Sequence, residues 1–369
     1  VKHPTPPALA FLDDALAEAE RRDLLRRRPP PAEGGLSFCS NDYLALSRLP
    51  PPAADAGAGA SRLVSGDRPV HAALEEAASA FVGQPAALVF SSGYAANVGL
   101  LSALVGPDDL LVSDALNHAS IIDGARLSRA RVEVVPHLDA AAVDRLLHRP
   151  RTGRAFVVTE SYFSMDADSP DLGTLRAVCN AHGAALLVDE AHALGVLGPD
   201  GRGLCAEANV LPDALVGTFG KAFGAAGAFV AGSPALVAWL WNRARSFVFS
   251  TGLSPAVAAA ALQGLRAAEH EPERRARVLA AAAQLRAGLD RLGLRPLGRG
   301  PIIPCIVGEP GRALRLAEWL QTHGIDVRAI RPPSVPPGTA RLRFTVTAAH
   351  TAADIERCLA AVAAARGAA

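Results

Sequence analysis

Between residues 70 and 250 the chain repeats one pattern, a short apolar run followed in most cases by a stretch with helical character. The runs are AALVF (86–90), DLLVS (109–113), RVEVV (131–135), AFVVTE (155–160), ALLVDE (185–190), ALVGTF (214–219) and GAFVAG (227–232). Short apolar strands separated by helices imply an α/β fold, with a mainly parallel sheet covered by helices on both faces. Ligands of such sheets bind at the carboxyl ends of the strands. The chemistry is therefore expected just after each run.

The flanks read differently. Thr5 followed by two prolines marks a helix start, and Leu9, Leu12 and Leu16 recur at helical spacing. That helix is expected to reach about Arg28, ahead of the prolines at 29–31. SFCSNDYLALS (37–47) reads as a short strand and turn, and PPAADAGAGAS (51–61) as loop. After about 253 come an alanine-rich helical stretch, strand candidates near PIIPCIVG and ARLRFTV, and a last helix over 351–366. The expected organisation is an N-terminal helix and arm (1–45), a large domain (46–252) and a small C-terminal α+β domain (253–369).

Composition removes several function classes. A formal net charge of +1 over 369 residues gives no global field for nucleic acid or an anionic membrane. The five cysteines are odd in number, far apart and form no C-x-x-C, so a reducing cytosol suits them better than a disulfide framework. The N-terminus has no apolar core of a signal peptide. Residues 222–241 are uncharged and long enough to cross a bilayer. Their glycines and the Ser233–Pro234 pair instead predict a buried strand, a turn and a capped helix.

Four places carry chemistry. The run ALLVD ends on Asp189, with His192 three residues on, and a buried carboxylate there needs a partner. Lys221 follows another run, among Gly220, Gly224 and Gly227, where a bulky ligand can approach the backbone. A lysine in such a place can serve as a nucleophilic amine. Ser91, Ser92 and Gly93 precede a helix expected from Tyr94, a phosphate-binding arrangement. His118 sits between Asn117 and Ser120 after a further run. Each signal alone has a bland reading, such as a capped turn, a surface lysine or a structural histidine. Together they supply an amine, a carboxylate for a pyridine nitrogen, a phosphate cradle and a flat group, which is what pyridoxal 5′-phosphate (PLP) requires. The string DEAH at 189–192 also spells a helicase box, but the phosphate loop such a motor needs is missing from the sequence. Spacing identifies no metal ligands to join Asp189 and His192.

The strings SNDYLALS, RLVSGDRPVHAALE, SSGYAAN, LNHAS, TESYFSMDADSPDL, LVDEAHALGVLGPDGRG, GTFGKAFGAAG and AIRPPSVPPGTARLR resemble the α-oxoamine synthases, in collinear order from about residue 20 to 360. These are fold-type I PLP enzymes with a seven-stranded sheet that join an amino acid to an acyl thioester with loss of carbon dioxide. GTFGKAFG and AIRPPSVPPGTARLR are most similar to the branch that condenses L-alanine with a pimeloyl thioester of CoA or acyl carrier protein in biotin synthesis. The resemblance implies that Lys221 carries PLP as a Schiff base, Asp189 binds the pyridine nitrogen, His192 contacts the ring hydroxyl and His118 stacks on the ring. It implies that Gly93 and Tyr94 frame the phosphate, that Ser164 and Thr218 contact the cofactor, and that Ser250 reaches the phosphate site of a neighbouring subunit in a homodimer. Arg331 would hold the alanine carboxylate, with Arg26, Asn41 and Ser334 at the substrate. Two departures stand out: Ser334 replaces the usual threonine after R-P-P, and the segment from Ser47 to Ser61 is shorter than usual, as though a helix were missing. A sister synthase using glycine or another acyl thioester, an aminotransferase, and a non-catalytic PLP-fold protein are the alternatives.

Overall fold

The computed structural model describes residues 6–26 and 35–368. The described residues pack as two compact units, a larger one of 41–279 with 347–349 and a smaller one built from 6–26, 35–40, 280–346 and 350–368. The helices used below are α1 (Phe11–Arg21), α2 (Pro69–Val82), α3 (Gly93–Leu104), α4 (Ala119–Ser128), α5 (Ala140–Leu147), α6 (Leu172–Ala181), α7 (Pro234–Arg243), α8 (Pro255–His270), α9 (Pro272–Arg291), α10 (Pro310–Thr322) and α11 (Ala352–Ala368).

The larger unit is organised by a seven-stranded sheet. Its strands are β1 (Ala86–Phe90), β2 (Leu110–Asp114), β3 (Arg131–Val135), β4 (Ala155–Glu160), β5 (Ala185–Asp189), β6 (Ala214–Thr218) and β7 (Ala228–Gly232). They lie in the order β1-β7-β6-β5-β4-β2-β3, and only β7 runs antiparallel to its neighbours. All seven sequence runs are strands. Six of them point the same way, so their carboxyl ends share one sheet edge. Beneath that edge Leu88, Phe90, Leu111, Val158, Val216 and Val230 pack with Ala96, Leu100 and Ile121 of the covering helices. Each such side chain contributes about 1.5–3 kcal/mol on burial.

Local sequence explains the helix starts. Ser92, Asp139, Asp171, Ser233 and Ser254 each accept a backbone N–H of the helix that follows, satisfying a donor the helix leaves open. Residues 222–241 form β7 and the Ser233-capped α7, and no helix among the described residues is long and apolar enough to cross a membrane. Gly224 lies at φ +67°, and a Cβ there would sit 2.2 Å from the Ser47 nitrogen, so the turn carrying Lys221 requires glycine.

Two expectations differ from the structure, and a third holds. The first helix spans only Phe11–Arg21, because Asp23 adopts a left-handed conformation (φ 55°) that stops it. Thr5 and the prolines at 29–31 lie outside the described residues. The domain boundary expected at 253 falls instead within α9. Helix α8 packs on α2, so residues 253–279 belong with the sheet unit. Residues 49–60 hold no helix, in keeping with the shortened segment; the chain is tied there by Ser254 Oγ to the Ala56 carbonyl (2.7 Å) and by the Gly252 N–H to the Ala60 carbonyl (2.9 Å).

The smaller unit is α+β. β8 (Ile302–Gly308), β9 (Arg328–Ile330) and β10 (Ala340–Thr345) form an antiparallel sheet in the order β9-β10-β8. Leu36–Ser37 pairs in parallel with Ile325–Asp326, and the buried Phe38 accepts a backbone bond from Thr345.

Candidate active site

Asp189 is the last residue of β5 and is buried. Its carboxylate accepts from the Asn97 side-chain amide (2.7 Å) and from the Ala191 N–H (2.9 Å). The same Asn97 nitrogen donates to Ser120 Oγ (2.9 Å), which lies 2.8 Å from His118 Nδ1. Nδ1 also accepts the Ser120 backbone N–H, so it is unprotonated and the imidazole proton sits on Nε2. Burial, first, pushes the His118 pKa down; the Asp189 charge pulls it back and the Lys221 charge adds to the depression. His118 is therefore a neutral ring, with one carboxylate and one amine inside its electrostatic reach.

Lys221 follows β6, the strand paired with β5, and is half-buried. It is the only lysine among the described residues, the other being Lys2. Thr218, which ends β6, donates through Oγ1 to the Gly227 carbonyl (3.0 Å) and accepts the Gly220 N–H (3.2 Å). A Cβ at Gly93 would lie 4.0 Å from the Thr218 hydroxyl, so the start of α3 faces Thr218. A helix start of this kind presents N–H groups to an anion. Tyr94 is exposed, and its hydroxyl donates to the Asp123 carboxylate, which pushes the phenol pKa up.

His192 Nδ1 lies 2.8 Å from the Tyr43 hydroxyl, and Tyr43 donates to Asn41 Oδ1 (3.3 Å), so Asn41 and His192 belong to one chain of contacts. Ser164 is buried in the turn after β4. His137 clamps that turn, with Nδ1 2.8 Å from Asp114, Nε2 3.1 Å from Asp168 and its ring edge-on to Phe163. Burial opposes charge on His137, but the two carboxylates outweigh it and push its pKa up to about 10. Ser250 lies just past the short helix Arg245–Val248, not at a strand end.

Arg26, Arg331 and Ser334 are in the smaller unit. Arg26 donates to Ser334 Oγ (3.0 Å), and Arg331 donates to the Asp23 carbonyl. Burial and then the Arg26 charge push the Arg331 pKa down. Three of the four substrate candidates thus form one cluster, while Asn41 belongs to the larger unit.

Sequence reasoning missed Asn97, Ser120, Tyr43 and Glu160. Glu160 ends β4 opposite Asp189 in the ladder, is buried, and accepts the His118 backbone N–H. Burial, then the Asp189 charge, push its pKa up to about 8. Asn97 and Glu160 offered one signal, a polar residue within or at the end of an apolar run, whereas Tyr43 and Ser120 lie in polar strings that offered none. Glu190, the second letter of DEAH, is structural: its carboxylate accepts from Ser161 Oγ, Leu204 N and Cys205 N.

These groups fit PLP. Asp189 offers a carboxylate already held by two donors, Lys221 an amine, His118 a neutral ring, and Thr218 with the α3 start a place for phosphate. Comparison with known proteins agrees. The model for the family "Aminotransferase class I and II" matches residues 33–362. An 8-amino-7-oxononanoate synthase of Anaeromyxobacter dehalogenans is 47% identical over 97% of this chain and 96% of its own length. Among solved structures, Sphingomonas wittichii serine palmitoyltransferase superposes with a TM-score of 0.91 at 30% identity, covering 98% of this chain and 99% of that one. A serine palmitoyltransferase solved with PLP gives 0.90 at 29% identity, covering 98% and 99%. With the aminotransferase fold, the PLP-fitting site and near-half identity over nearly its full length, the chain belongs to the 8-amino-7-oxononanoate synthase family of PLP-dependent acyltransferases.

Proposed function

We propose that the chain joins L-alanine to the pimeloyl group of a CoA or acyl-carrier-protein thioester, forming 8-amino-7-oxononanoate for biotin synthesis with release of CO2 and free thiol. The observation that carries this reading is the placement of Asp189 at the end of β5 and of Lys221 just past the neighbouring β6, both acting on the charge state of His118.

Bound PLP supplies an electron sink for the carbanion formed at the amino-acid Cα. The chain's own residues do the rest. Asp189, held in place by Asn97 and Ala191, would hold the pyridine nitrogen and favour its protonated form by the opposite-charge effect. Lys221 holds the cofactor and, once released by substrate, moves the Cα proton. His118, Ser164, His192 and Thr218 position the ring, and Gly93 and Tyr94 border the phosphate. Arg331 takes the alanine carboxylate through a forked, charge-assisted contact, with Arg26, Asn41 and Ser334 as further substrate contacts. The active form is a cytoplasmic homodimer in which Ser250 of one copy serves the other. The sheet unit is the PLP-binding domain.

Borohydride reduction of the yellow protein should fix PLP to Lys221; label on Lys2 would refute the assignment. Thiol release from pimeloyl-CoA should require alanine. Glycine serving equally well would move the chain to a sister synthase. Lys221→Ala should lower turnover by at least about 100-fold, the lower end for a general base. Arg331→Lys should raise the alanine KM more than it lowers kcat. Sedimentation showing a fully active monomer would remove the role of Ser250.

A further inference from the structure

The carboxyl ends of α5 and α6 bring together three metal-ligating side chains that the reaction does not use. Asp144 and His148 are four residues apart at the end of α5, hence on one face. His182 caps α6, 38 positions beyond Asp144. Its Nε2 lies 2.8 Å from Asp144 Oδ1, and His148 Nδ1 lies 3.5 Å from the same oxygen. The two imidazole centroids are 4.3 Å apart at an interplanar angle of 70°. One ligating atom from each residue lies within 4.8 Å of the other two.

We propose that Asp144, His148 and His182 bind a divalent first-row transition ion of the zinc class. Two imidazoles and one carboxylate suit zinc, nickel or copper, whereas magnesium and calcium favour all-oxygen sets. Zinc bonds of about 2.0–2.2 Å place tetrahedral ligand atoms about 3.4 Å apart. Rotation of the exposed His148, whose side chain is 67% accessible, closes the difference. The ion takes the place of the direct Asp144–His182 contact, and water completes the coordination. Arg151 holds the two helix ends in place, donating to the Leu147 carbonyl (2.6 Å) and the His182 carbonyl (2.5 Å). Its positive charge opposes the ion, and the Asp144 carboxylate offsets it.

The site lies away from the catalytic edge. His182 precedes β5 and Asp189 ends it; at about 3.3 Å per residue the strand alone separates them by roughly 13 Å. The ion therefore braces α5 against α6, stabilising the folded chain by mass action, and takes no part in the condensation.

The test is calorimetric titration of zinc chloride into chelator-stripped holoenzyme, with thermal melting alongside. One ion per chain should bind, and the melting midpoint should rise with zinc concentration. His148→Ala removes an exposed side chain and so leaves folding and turnover intact. It should weaken binding at least about tenfold, the lower end of the loss from disturbing even an outer-shell partner, and should abolish the shift. Absence of saturable binding to the unaltered protein, or equal binding and an equal shift in His148→Ala, would overturn the proposal.

Discussion

Asn97 has one amide group and two demanding acceptors, Asp189 and Ser120, and through Ser120 it links the Asp189 carboxylate to His118. A hydrogen bond to a charged group contributes about 1.5–3 kcal/mol. Asn97→Ala should therefore weaken PLP retention by about 10- to 100-fold, read from visible absorbance during dialysis, with little change in far-UV circular dichroism. Glu160 makes a second demand on the same corner. Its raised pKa means that the folded chain holds a proton the unfolded chain releases from its ordinary value of 4.5 up to about 8. Stability from this group is complete below that ordinary value and declines as pH rises through about 8. Glu160→Gln keeps a neutral side chain and should flatten this part of the urea-midpoint profile. An unchanged slope in that variant would mean Glu160 is ionised in the fold.

The turn after β4 is held by a charged histidine between two aspartates, an arrangement with its own pH signature. With the His137 pKa raised to about 10, its contribution is full below the unfolded value near 6.5 and is lost as pH climbs through about 10. His137→Gln should remove that alkaline loss and loosen Ser164, so activity should fall more than the melting temperature. Close packing makes a different demand on α8. A Cβ at Gly264 would lie 2.0 Å from the Phe223 carbonyl oxygen, so Gly264→Ala should cost about 1–3 kcal/mol in denaturant melts. These elements also show what was legible beforehand. The strands were readable because apolar runs in a covered sheet carry no competing signal, and Ser233–Pro234 located α7 for a mechanical reason. The first helix was overread because Leu9, Leu12 and Leu16 have the right spacing yet lie exposed, so periodicity there had no burial behind it. Asn97 and Glu160 escaped notice because a polar residue in a helix or at a strand end normally faces water. Only the packing of α3 on β6 and β7 brings Asn97 to Asp189, and only the pairing of β4 with β5 sets Glu160 beside it.

Chain order and compact units do not coincide. The smaller unit takes Leu36–Ser37 from the start of the chain to pair with Ile325–Asp326, and seats Phe38 against β10. A fragment beginning at 253 should therefore fail to give cooperative melting, because it lacks that strand and carries α8 without α2. A boundary drawn from a change in sequence texture could not reveal this, since texture reports local structure and not which distant segment completes a sheet. The scarcity of lysine has a practical consequence. Arginine supplies nearly all the positive charge, so an amine-selective dye meets a single side-chain target within the described residues, and that target is Lys221, the lysine proposed to hold PLP. Under the proposed function, labelling of Lys221, read apart from that of Lys2, should be slow with PLP bound and faster when alanine is added.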